Sequence, residues 1–447
     1  MMNPLDWSPM SNFLTTAQSI AGRTPRERNR VVDLMRVISI LVVVFGHWLI
    51  AAVTIEAGSV VPGHLLGLAE WTHPLTWVLQ VMPIFFFVGG FSNALSWRSA
   101  RRKGETYSGW LRIRLRRLTL PVVPLLLVWG VGGWLALRTG LDWELLQLAS
   151  QVAVVPTWFL AAYVVIVVLA PAALTVWDRL GWWSVTAGLI LAGITDYVSI
   201  GLGIAAVGFL NYVFVWATVH QLGFAWVDGK AEGAWRRLGL VAIGFAGTLI
   251  LVWAGPYPIA MVGLDNGEVA NSLPPRLTLA FLGIFQAGLV LVAEPVLQRL
   301  MNIKSLWTGV VAVSGQIMTL YLWHLTAMVV LIAAGIGLNG FGFGIEPVTA
   351  LWWVTRPVWV AALIAVTVLL AALFGRFERP LPDPRPAPPL WRPIAAAVMI
   401  CAGLGLLAAV GIADPDGLNG LILSLPLAGM MIGGVTGASK ARRAATE

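Results

Sequence analysis

Two histidines stand inside runs long and apolar enough to cross a bilayer. His47 interrupts the apolar stretch 37–53, and His324 ends the segment Leu320-Tyr321-Leu322-Trp323-His324 within another. Ionisable side chains in a membrane span are costly and are functional candidates by default. Arg36 precedes His47 by eleven residues. That is about three helical turns and roughly 16 Å at 1.5 Å per residue, so the two share one helix face. A packing hydrogen bond competes as the role of His47, and a snorkelling anchor competes for Arg36. On spacing alone His47 is the stronger functional candidate. Tyr321, three residues before His324, lies on its face, where packing and function weigh equally.

Other polar residues are less pointed. His64, Glu70 and His73 fall in the first outer loop, where they line a substrate vestibule or are simply solvated. Asp196 lies near the outer end of the fifth span, and interfacial solvation is the simpler reading than a pore lining. The segment Met82-Pro83-Ile84-Phe85-Phe86-Phe87-Val88-Gly89-Gly90-Phe91-Ser92-Asn93 combines a proline with a glycine pair that permits a kink and close backbone approach. Arg114 and Arg117, at i and i+3, read first as topology anchors. The five histidines are scattered without helical ligand spacing, so no metal site is expected. No phosphate-cradling Gly-rich loop, His-Glu-x-x-His or Gly-x-Ser-x-Gly occurs, which leaves ATP hydrolysis, zinc proteolysis and serine hydrolysis without support.

The elements that must position these residues follow from composition. Of 447 residues, 58% are hydrophobic and only 11% charged, with a mean hydropathy of +0.82. A soluble domain is about a quarter charged. The pattern excludes an ordinary soluble enzyme and predicts an all-α polytopic membrane protein. Twelve spans are expected near 34–54, 75–96, 119–137, 153–174, 183–202, 205–226, 237–255, 276–294, 307–336, 350–374, 393–413 and 418–437. The single cysteine, Cys401, allows no internal disulfide.

The net charge of +8 is concentrated at 98–117, which carries eight basic residues and one acid. Flanking spans, these charges fit the cytoplasmic-positive rule and anionic lipid headgroups better than nucleic acid. With the N-terminus in the cytoplasm, 26 of the 29 Lys and Arg residues fall on the cytoplasmic side, leaving Arg138, Arg276 and Arg356 outside. The split places both termini in the cytoplasm and the protein in the inner (plasma) membrane. Residues 9–21 suit a short interfacial helix. The expected organisation is an N-terminal segment 1–30, a ten-helix core 31–375, a Pro-rich linker 376–392, a two-helix hairpin 393–437 that looks like an appendage, and a basic tail 438–447.

These residues together resemble the membrane-bound acyltransferase-3 family, which moves acyl groups onto cell-surface glycans and lipids. The resemblance rests on Arg36-x10-His47, the Phe-Phe-Phe-x-Gly-Gly-Phe at 85–91, Arg114-Leu-Arg-Arg117 followed by Leu-Pro121, Trp158-Phe-Leu and Tyr321-Leu-Trp-His324, over residues 30–375. Gly89 stands where the family often has serine, and no appended soluble esterase-like domain is expected. The resemblance implies an integral membrane O-acyltransferase with an acyl-CoA, often acetyl-CoA, as co-substrate and a sugar or glycolipid hydroxyl as acceptor. His47 would serve as general base with Arg36 beside it, since an imidazole suits proton abstraction at neutral pH. Arg114 and Arg117 would hold CoA phosphates, and Asp33 would orient Arg36. Glu70, Trp158, Tyr321 and His324 are candidate substrate contacts. A transporter or flippase of a lipid-linked sugar or small solute is the competing class, because intramembrane His and Arg also serve proton coupling. The missing internal repeat and the ten-plus-two organisation speak against it.

Overall fold

The computed structural model describes residues 9–25, 28–56, 59–263, 269–378, 383 and 385–436. Arg26, Arg379 and the basic residues of the tail 438–447, counted on the cytoplasmic side, lie outside these residues. Helix α1 (Pro9–Gly22) precedes the first span, α2 (Arg30–Ile50). Asn29 opens α2, its side-chain oxygen accepting from Val31 N at 3.0 Å, a standard N-cap. A connection follows with a two-stranded hairpin (Thr54–Glu56 with Ser59–Val61), the single turns α3 (Leu65–Leu68) and α4 (Thr76–Leu79), and a 3-10 helix Glu70–Leu75. Then come α5 (Met82–Arg102), α6 (Tyr107–Thr119), α7 (Val122–Arg138), α8 (Trp143–Val154), α9 (Thr157–Leu180), α10 (Trp182–Asp196) and α11 (Asn211–Val227). The chain continues as α12 (Ala234–Ala254), α13 (Leu277–Leu300), α14 (Lys304–Ser314), α15 (Ile317–Gly337) and α16 (Ala350–Phe374). It ends with α17 (Trp391–Val410) and α18 (Gly420–Ile432).

Among the described residues ten helices are long and apolar enough to cross a membrane. The pair α6–α7, bent by 46°, makes an eleventh, and α18 is a shorter apolar helix. The protein is an all-α, multi-pass membrane protein. Among the boundaries that differ from the sequence expectation, three have consequences for the site. The third span is entered through α6 and bends before Val122, beside Pro121, which has no N–H to continue the ladder. The ninth span, expected to run unbroken over 307–336, is interrupted at Gly315 and Gln316 between α14 and α15. Helix α2 stops at Ile50 rather than 54, so His47 occupies its last turn.

The interior is built around α5, which packs against α2, α9, α11 and α13. Its contact with α11 is a backbone approach. A side chain at Gly90 would collide with the His220 carbonyl, and one at Gly223 with the backbone of Phe87 and Phe91. Small residues at such crossings gain packing that hydrocarbon cannot replace. Phe86, Phe87 and Val88 are wholly buried in this seam. By contrast α12 leans mainly on α13 and exposes Trp235 and Trp253 near its two ends, the pattern of a lipid-facing helix with interfacial tryptophans. The terminal hairpin is not splayed away: α17 packs along α9 and α8, and α18 packs on α17.

Candidate active site

The basic residues of 98–117 do not form one patch. Arg98 pairs with Asp228 at 2.5 Å and Asp178 at 3.1 Å. Arg112 and Arg116 turn to the buried carboxylate of Asp383, each at 3.4 Å. Arg101, Arg102 and Lys103 are exposed. Arg114 and Arg117 do not join these pairs and lie within electrostatic reach of Arg36 on α2. Helical spacing explains the division, since residues 112 and 116 are one turn apart and 114 and 117 are another such pair.

Arg36 is held from two sides. Its Nη2 donates to Ser92 Oγ on α5 at 2.8 Å, and its Nη1 lies 3.4 Å from Asp33 Oδ1. Asp33 is itself buried and gripped by Arg28 at 2.6 Å, with Arg28 Nη2 donating to the other oxygen at 3.0 Å. The Asp33 contact expected from sequence is present, but Arg28 takes the closer share of that carboxylate. Outside the spans, the Arg28 guanidinium is shifted upward by its hydrogen bond to Asp33. Arg114 Nη2 approaches the Ser92 carbonyl at 3.5 Å while its guanidinium lies over the Trp110 ring at 5.6 Å. Arg117 is accessible and within electrostatic reach of Arg36 and Glu378. Two guanidinium groups, those of Arg36 and Arg114, therefore meet at Ser92 with Arg117 in electrostatic reach of Arg36, an arrangement suited to a polyanionic ligand.

Glu378 closes this end. Its carboxylate accepts from Met318 N, Thr319 N and Thr319 Oγ1, each at 2.9 Å, capping the start of α15. Those N–H groups would otherwise be unpaired at a helix N-terminus inside the protein. Because α14 occupies the basic end of this span, α15 begins deeper, and that sets the height of His324.

His324 sits two turns into α15 and meets His47 in the last turn of α2. His47 Nδ1 and His324 Nε2 are 2.8 Å apart. The two rings are nearly parallel, at 8°, with centroids 5.1 Å apart. His324 Nδ1 lies 2.7 Å from the carbonyl oxygen of Tyr321. The fully buried His324 is pinned further by Trp48, whose Nε1 donates to the His324 carbonyl at 3.1 Å. Tyr321 is fixed in turn, its hydroxyl donating to Pro156 O at 2.7 Å. His47 keeps accessible surface, and its Nε2 makes no hydrogen bond among the described residues.

The remaining candidates fall at different distances from this pair. Trp158 is half-buried at the start of α9 and edges onto Phe159, which in turn meets Tyr321 at 5.7 Å between centroids. Glu70 is exposed in the 3-10 helix of the first connection. His73 serves that connection, its Nε2 lying 2.7 Å from Leu66 O. Asp196 is neither pore-lining nor solvated as expected. It is buried and accepts from Leu277 N, Tyr257 Oη, Asn211 Nδ2 and Arg276 Nη1 at 2.8–3.2 Å, tying α10, α11 and α13 together. Among the described residues no His, Cys, Asp and Glu group is arranged to hold a metal. Ser92 and Glu378 were missed by sequence reasoning. Ser92 adjoins the Phe-Phe-Phe-x-Gly-Gly-Phe motif at 85–91, which was a usable signal; Glu378 carried none.

Residues 29–376 match the model of the acyltransferase-3 family, an acyltransferase domain. The match spans well over half the chain and includes Arg36, His47, Ser92, Arg114, Arg117 and His324, so the chain belongs to this family. No curated protein and no solved structure matches it.

Proposed function

We propose that this membrane acyltransferase takes an acyl group, acetyl in the simplest case, from cytoplasmic acyl-CoA and places it on a hydroxyl of a cell-envelope glycan or glycolipid. The observation that carries the reading is one helix, α2, bearing Arg36 within a cluster of guanidinium groups at one end and His47 within a histidine pair at the other. A thioester donor with a polyanionic head needs both. The head stays with Arg36, Arg114 and Arg117 at the basic end, and the flexible arm carries the thioester inward.

The chemistry balances with His47 alone moving the proton. The acceptor oxygen attacks the thioester carbonyl carbon while His47 takes its proton. The tetrahedral intermediate then expels the CoA sulfur, which receives that proton from the imidazolium. An ester and free CoA are the products. The guanidinium cluster binds and orients the donor, and positioning of this kind converts an encounter into a near-unimolecular step.

Purified protein supplied with acetyl-CoA and, in turn, trehalose, cell-wall polysaccharide and membrane polar lipids should release CoA thiol with at least one acceptor. His47→Ala should insert normally and lose about 10²–10⁴-fold in rate, the usual cost of a missing general base. Full turnover by a well-folded His47→Ala protein would remove His47 from the chemistry.

A further inference from the structure

Resting on the reading of His47 as base, we propose that His324 is a positioning residue that fixes which nitrogen of His47 is basic. The Tyr321 carbonyl can only accept a hydrogen bond. The 2.7 Å contact therefore requires the proton of neutral His324 to sit on Nδ1. His324 Nε2 is then a lone pair. At 2.8 Å from it, His47 Nδ1 must carry a proton and donate. The lone pair of neutral His47 is thus on Nε2, the nitrogen without a partner among the described residues. One backbone oxygen sets all four ring nitrogens.

Ring geometry agrees with this chain of donors. Parallel rings whose centroids are 5.1 Å apart, with nitrogens at 2.8 Å, meet edge to edge in one plane rather than face to face. An imidazole N–H lies in its ring plane, so the hydrogen bond is aligned. His324 has no accessible surface and both its nitrogens are engaged, so it does not reach a substrate. The Trp48 and Tyr321 anchors hold its backbone and its acceptor. When His47 takes a proton on Nε2, the His324 lone pair remains aimed at the Nδ1–H of the imidazolium. This is the orienting task that a carboxylate performs for the histidine of a hydrolytic triad, here done by a neutral group that adds no buried charge.

The first test needs no activity. In detergent-purified protein labelled with ¹⁵N-histidine, His47 and His324, assigned through His47→Ala and His324→Gln, should both show a protonated Nδ1 and an unprotonated Nε2 near neutral pH. A protonated Nε2 on neutral His47 would overturn the proposal, whether or not the protein transfers acyl groups. The second test uses the carboxamide of glutamine, whose oxygen reaches the Nε2 position and can accept from His47, whereas asparagine is too short. With acetyl-CoA and membrane polar lipids as substrates, His324→Asn should lower kcat by about 10–100-fold, the usual loss when a supporting hydrogen bond is removed. KM should change little, and His324→Gln should recover most of the rate. Equal losses in the two variants, or a loss confined to KM, would make His324 a packing or acceptor-binding residue. Wild-type protein that releases no thiol, yet shows the expected tautomers, would refute the enzymatic reading and leave the pair intact.

Discussion

A guanidinium already satisfied by protein gives little to a ligand, and this separates the arginines of α6. Arg112 donates to Pro386 O and Arg385 O at 2.7 Å, so its charge is spent on the chain following the core. Arg114 has a ring and one long carbonyl contact, and Arg117 is accessible. Neutralising Arg114 or Arg117 to glutamine should therefore weaken acyl-CoA binding in particular. A lost charge-assisted bond is worth about 1.5–3 kcal/mol, or roughly one to two decades of affinity. Lysine should restore only part, because it lacks the planar fork. Acyl-CoA titration of the purified variants over a salt series measures this. Affinities equal to wild type would return the pair to the role of topology anchors. That Arg36 and His47 share one face of α2, and Arg114 and Arg117 one face of α6, was legible because spacing alone fixes a helix face. The His47–His324 contact was not, since 277 residues separate them and no local rule pairs them.

At the scale of elements, apolar length was enough to locate most of the spans, because burying the backbone in lipid leaves a helix as the only local solution. Breaks and bends were not legible. The break before α15 depends on Glu378 arriving from the end of α16 to cap the orphan N–H groups, a tertiary event with no sequence period. The docking of the terminal hairpin was equally hidden. Asp383 is buried between Arg112, Arg116 and Arg385, and Arg385 grips both its oxygens at 2.7 Å while also donating to Gly434 O after α18. The Arg385 fork holds the Asp383 carboxyl down to about 2. A depressed carboxyl stabilises the fold fully above its unfolded value near 3.9 and loses that contribution as pH falls through about 2. Asp383→Asn should lower Tm at neutral pH, and the gap to wild type should narrow as pH drops from about 4 toward 2. A gap that is absent at pH 7, or constant on acidification, would show that the ion pairs hold nothing.

At the scale of the molecule, the basic segments converge on one end. Arg30 donates to Met301 O at 2.8 Å, Asn29 accepts from Gln298 at 3.0 Å, Arg98 reaches Asp228, Arg237 pairs with Glu294 at 2.9 Å, and Arg112 reaches Arg385. Five stretches of sequence that each carry Lys or Arg are thus sewn into a single basic face. The opposite end has its own ties, through Asp196 with Arg276 and through Gln151 with Ala409 O. On the proposed reading this face lies in the cytoplasm, as the positive-inside rule expects of a face rich in Lys and Arg, and acyl-CoA reaches the arginines of α6 from there. Orientation and donor site therefore stand or fall together. Single cysteines replacing Glu105, at the basic end, and Glu144, at the other, both exposed, can be probed in a Cys401→Ser background. An impermeant thiol reagent should label position 144 in intact cells and position 105 only after the membrane is opened. Labelling of 105 alone in intact cells would invert the protein. It would place the guanidinium cluster where no acyl-CoA reaches it, and the donor assignment would fall with the topology.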